Sequence, residues 1–225
     1  MMHIRLTAAI TVAAATLLTV TSCSSGSSAD APSQPQVQSI SLAPGVVKDS
    51  PADLNSTKDM SDVVDTTTMT PPQSPYYGHL PAVCPLLEKV SFSPIRNPTL
   101  NTGLNTEFAQ SCVIQGPGFS ADNLGVTLIA QSVSATLAAQ NVQPIEKDFR
   151  ASGIPTPVTT YSLRSSPEAT GACVATWGQF YGSVQMSLFG SGRTTAENCQ
   201  LVLEFAKAAT SNLPKAPFQM RATGS

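Results

Sequence analysis

The sequence predicts an α+β fold, an antiparallel sheet with helices packed on one face and two disulfides. Three observations carry this. Residues 172–179 and 183–188 are β-rich and flank Phe180-Tyr181-Gly182, which reads as a hairpin turn. A single well-formed amphipathic helix follows. Four cysteines beyond residue 80, Cys84, Cys112, Cys173 and Cys199, form an even set available for pairing.

The elements follow in order. Residues 82–90 suit a short helix with Pro85 in its first turn, where a missing N–H costs nothing. Residues 112–115 make a short strand, stopped by Gly116-Pro117-Gly118. Residues 125–133 place Val126, Leu128 and Ala130 on one face and Thr127, Ile129 and Gln131 on the other, a strand of period two. Residues 135–140 and 145–151 read as short helices split by Pro144, and 158–163 as a strand. In the second hairpin arm Val184, Met186 and Leu188 alternate with Ser183, Gln185 and Ser187, so one face is expected buried and the other wet.

Thr194 and Glu197 form a capping box for the last helix. Cys199, Val202, Leu203, Ala206 and Ala209 follow at helical spacing as its buried stripe, and Pro214 ends it. The order is α-β-β-α-β-β-β-α. A β-rich sandwich is the competing architecture.

The N-terminus has a different character. Arg5 precedes fifteen uncharged residues, 6–20, and the small residues after them end in Cys23. A basic start, an apolar stretch too short to span a bilayer and a terminal Cys describe a lipoprotein signal over 1–22, with Cys23 carrying the lipid. Processing would leave 203 residues with 11 basic and 14 acidic side chains. That weak negative charge gives no basis for nucleic-acid binding.

Residues 23–78 hold Ser24–Ser28, many prolines and no aromatic residue before Tyr76. They are expected to be a disordered Ser/Thr/Pro-rich tether. The folded domain is expected over 79–218, followed by a tail, 219–225. Outside the cytoplasm an even cysteine set reads as two disulfides. Three pairings are possible, and proximity along the chain favours Cys84–Cys112 with Cys173–Cys199. A zinc site lacks the C-x2–4-C spacing and nearby His that it needs.

Cys84-Pro85-Leu86-Leu87, Ser111-Cys112-Val113, Ala172-Cys173-Val174 and the helix from Cys199 to Pro214 together resemble a family of actinobacterial lipoproteins with a four-cysteine domain of unknown function. The resemblance covers roughly residues 80–214. It implies a cell-envelope setting and supports the disulfide framework. It brings no catalytic residues.

Chemistry-bearing groups are sparse. His79 is the one His of the processed chain, no G-x-S-x-G elbow is present, and no spacing singles out a pair of carboxylates. No metal site or cofactor motif is expected. Gly190, Ser191, Gly192, Arg193 and Thr194 run from a strand into a helix N-terminus, where free amides could bind an anion. A plain turn is the competing reading. Trp177, Phe180 and Tyr181 are expected to pack in the core or across strands, with an exposed binding patch as the alternative. The expected function is a lipid-anchored, non-catalytic binding or scaffolding module on the extracytoplasmic face of the cell membrane. Its partner would be an envelope protein, glycolipid or polymer. A hydrolase and a carrier of a lipid-like ligand, held in a cavity between sheet and helices, are the alternatives.

Overall fold

The computed structural model describes residues 44–64, 73–93, 95, 97–116, 123–140, 142, 144–162, 171–189 and 193–220. Seven strands form one antiparallel sheet: β1 (Thr99–Asn105), β2 (Ala109–Gln115), β3 (Asn123–Ile129), β4 (Pro144–Phe149), β5 (Val158–Tyr161), β6 (Cys173–Gln179) and β7 (Gly182–Phe189). Their order across the sheet is β1-β2-β3-β7-β6-β5-β4. Three α-helices accompany them: α1 (Val83–Leu87), α2 (Val133–Gln140) and α3 (Thr195–Thr210).

Register decides which side chains form the core. Cys112, Val126, Met186 and Ala175 lie in one row across four strands. Leu128, Val184, Trp177 and Val158 make a second row, and Leu124, Leu188 and Cys173 a third. All are buried. Cys112 is bonded to Cys84 and Cys173 to Cys199. Each disulfide therefore fastens a helix, α1 or α3, to this same face. Val202, Phe205, Ala206 and Ala209 of α3 complete the layer, and Phe92 meets Phe205 edge-on at 5.9 Å. The predicted stripe is thus right at Val202, Ala206 and Ala209. Leu203 is only half-buried, and Phe205 takes the fuller share of the contact.

The other face is polar but not simply wet. Ser183 is buried and its hydroxyl meets that of Thr136 on α2 at 3.3 Å. Tyr161 Oη donates to Gln140 Oε1, and Gln185 Nε2 donates to Tyr161 Oη, each at 2.7 Å. The short α2 thus covers part of this face through hydrogen bonds rather than an apolar stripe.

Three expectations need correction. Residues 145–151 are not a helix: β4 pairs with β5 through Pro144↔Tyr161, Glu146↔Thr160 and Phe149↔Val158. The pairing is irregular, and Asp148 sits at φ 53°, a left-handed conformation that Asp tolerates better than most residues. β1 was not foreseen, because nearly all its residues are exposed and leave no alternation to read. The domain also begins earlier than residue 79. Met60 and Tyr76 are 2% and 1% exposed and belong to the core. Met60 N–H donates to Lys215 carbonyl at 2.7 Å, Phe218 N–H to Ser56 carbonyl at 3.0 Å, and Tyr76 Oη to the Pro51 carbonyl. Asp53 closes a turn by accepting from the N–H groups of Asp49 and Asn55. Polar turn chemistry and a few apolar anchors hold this segment on the sheet without regular structure.

Candidate functional site

Cys23, Gly190, Ser191 and Gly192 lie outside the described residues. Cys84, Cys112, Cys173 and Cys199 are all in disulfides. Arg193 and Thr194 precede α3, whose N-terminus the chain itself supplies with a carboxylate. Glu197 Oε2 accepts from Thr194 N–H at 2.7 Å and from Thr194 Oγ1 at 2.9 Å, while Glu197 N–H donates to Thr194 Oγ1 at 3.3 Å. The Thr194 amide and hydroxyl, with Arg193 nearby, hold the Glu197 carboxyl below its ordinary range. The anion position is therefore filled internally. Thr194 therefore serves as the cap of α3.

Trp177, Phe180 and Tyr181 are buried, not a surface patch. Phe180 meets Tyr181 edge-on at 4.9 Å and Tyr76 at 5.6 Å. The hairpin turn that positions them needs Gly182, at φ 131°, where a Cβ would run into the backbone of Ile129 and Gln131. Burial drives the Tyr181 hydroxyl's pKa far above its usual value, and the Tyr161 hydroxyl's likewise. His79 is half-buried beside the chain turn that precedes α1.

Two clefts stand out. The larger, about 610 Å³, lies between Val64, α2 and the start of β4. Val133, Leu137, Ala138, Val142 and Pro144 give it an apolar wall, and the Lys147–Asp148 ion pair, 3.8 Å, sits at its rim. The smaller, about 350 Å³, lies where the end of α3 meets the β6–β7 hairpin. It is lined by Lys207, Lys215, Ser61, Thr210, Ser211 and Gln179, among others. Among the described residues, no carboxylate lines it. Gln179 is 2% exposed, and its Oε1 has no hydrogen-bond partner among the described residues.

Sequence reasoning missed this second cleft, although a signal was present. Cys173, Ala175 and Trp177 face the core, and Gln179 continues the same alternation. A Gln at a core-facing position needs an explanation. The cleft walls come from residues near 61, 153, 179 and 210, which no spacing rule brings together. Among the described residues, no group of three or more His, Cys, Asp or Glu is placed to hold a metal ion, and no helix is long and apolar enough to cross a membrane. No family model, curated protein or solved structure matches the chain.

Proposed function

We propose that the chain is a lipid-anchored lipoprotein of the cell envelope, a non-catalytic binding or scaffolding module outside the cytoplasmic membrane. The acyl group on Cys23 is the anchor, and the partner is an envelope protein, glycolipid or polymer. The observation that carries this reading is the pair of disulfides, each fastening a helix to the core face of the sheet. Such bonds persist in oxidising compartments and are rare in the cytosol. The run of residues ending in Cys23 supplies the matching route of export. Two or more acyl chains would make attachment stable, at about 0.8 kcal/mol per buried methylene. The module reading is supported by the core, whose rows are filled by Val, Leu, Met, Trp and disulfide side chains, leaving clefts at the surface.

Intact-mass measurement of the membrane-extracted protein tests the anchor. The expected mass begins at a diacylated Cys23 and carries no free thiol. An unprocessed, unacylated N-terminus or four free thiols would refute the proposal. In cells, Cys23→Ala should move the protein from the membrane fraction into the medium or periplasm. Turnover of an envelope substrate that disappears on a single carboxylate substitution would replace the module with a hydrolase.

A further inference from the structure

We infer that the cleft between the end of α3 and the β6–β7 hairpin is a ligand site for a hydroxylated anion of sugar-phosphate size, with Gln179 as its selecting group. This rests on the binding-module reading but not on the lipid anchor.

A buried polar atom without a partner is unfavourable, and native folds keep few of them. Gln179 Oε1 is such an atom, at the wall of a cleft of about 350 Å³. The neighbouring backbone acceptors are already served. Thr210 Oγ1 donates to Ala206 carbonyl at 2.6 Å, Ser211 Oγ to Ala208 carbonyl at 3.2 Å, and Asn212 N–H to Ala209 carbonyl at 2.9 Å. Among the described residues, Gln179 Oε1 is the one buried side-chain oxygen of this lining without a partner, and it asks for a donor. Oε1 is itself sealed from solvent, so an occupant engages it by rotation of the terminal amide, a soft torsion.

Charge fixes the other half of the ligand. Lys207 and Lys215 line the cleft and carry a positive charge each. Asp59 lies close enough to Lys215 to feel its charge, and the end of α3 contributes about half a negative charge. Two positive charges outweigh one and a half negative ones. The balance favours an anion, and Ser61, whose hydroxyl donates to Asp59 Oδ1 at 2.7 Å, offers the cleft an acceptor for a ligand hydroxyl. A ligand that donates a hydrogen bond inward and presents negative oxygen outward is a hydroxylated phosphate or carboxylate. The volume lies at the small end of ligand clefts and suits one sugar-sized unit. Two sources share this chemistry, a soluble sugar phosphate and the glycerol phosphate headgroup of a lipid.

The test uses the full chain in detergent, titrated calorimetrically with D-glucose 6-phosphate, D-glucose and inorganic phosphate. Vesicles of phosphatidylglycerol are compared with vesicles of phosphatidylcholine. Glucose 6-phosphate should bind more tightly than sugar or phosphate alone, or phosphatidylglycerol should be preferred over phosphatidylcholine; either result supports the site and says which source it reads. Gln179→Leu should weaken binding by about tenfold or more while raising the Tm of the free protein by about 2 °C or more, because it removes an orphaned acceptor. Gln179→Met is the second variant, and Lys207→Gln with Lys215→Gln should abolish the preference for the charged probe. No binding of any probe would overturn the proposal. So would unchanged binding in both Gln179 variants, or a lower Tm in both, which would make Gln179 a structural residue. Any of these failures leaves the mass and fractionation tests of the anchor unaffected.

Discussion

Tyr181 shows how much one buried oxygen decides. Its ring packs edge-on against Phe180 at 4.9 Å and Tyr76 at 6.4 Å, but its hydroxyl has no hydrogen-bond partner among the described residues. Removing that oxygen keeps the ring contacts and deletes an unmet polar group. Tyr181→Phe should therefore unfold at the same temperature or a few degrees higher, and a clear drop in calorimetric Tm would contradict this account. The same burial sets an alkaline limit. Tyr161 and Tyr181 stay protonated in the fold well above pH 10, whereas in the unfolded chain they ionise near it. The unfolded state then binds fewer protons, so stability is full below about pH 10 and falls above it. The slope approaches about 1.4 kcal/mol per pH unit for each tyrosine. Denaturant unfolding at stepped pH should show this fall, and Tyr181→Phe should make it shallower. At the acid end the sign reverses. Asp53, Asp59 and Glu197 are held below their ordinary range by hydrogen bonds, so their contribution is present above about pH 4 and fades as pH falls further.

Elements differ in how well their sequences announce them. α3 was legible because its signals are local: Thr194 and Glu197 cap it, apolar residues recur at helical spacing, and Pro214 follows its end. The β6–β7 hairpin was legible for the same reason, with Gly182 marking its turn. β4 was not. Ile145 and Phe149 lie four apart, as do Glu146 and Arg150, so the segment imitates a helix. Only the free edge of β5 makes it a strand, and that edge is distant information. The staple on α3 yields a measurable ranking. Thr194→Ala removes one cap and should cost about 1 kcal/mol. Replacing both Cys173 and Cys199 with Ser opens a loop of separation 26 and should cost about 3–4 kcal/mol on the chain-entropy account. Chemical denaturation of the two variants should place the disulfide loss well beyond the cap loss. Equal costs would mean that α3 is held chiefly by its apolar face.

At the scale of the molecule, the lesson is that composition alone misplaced the domain's edge. The stretch before Tyr76 is rich in Ser, Thr, Asp and Pro, which reads as unable to fold by itself. Residues 44–64 lie on a surface that the sheet and α3 build, through Met60 in the core, Val64 against Gly178 and the backbone bonds to residues 215 and 218. Burying Met60 against a ready-made core follows the large-to-small rule, so Met60→Ala should cost about 2–5 kcal/mol. A chain that starts at His79 discards Met60 and Tyr76 together and strips the covering from the end of α3. Relative to a chain that starts at Pro44, it should unfold at a lower temperature, with a broader transition and faster amide exchange in residues 205–220. Identical calorimetric traces for the two chains would return the boundary to His79 and make the earlier segment a passive leash. Because Ser61 and Lys215 also line the small cleft, the shorter chain should lose the sugar-phosphate site along with its stability.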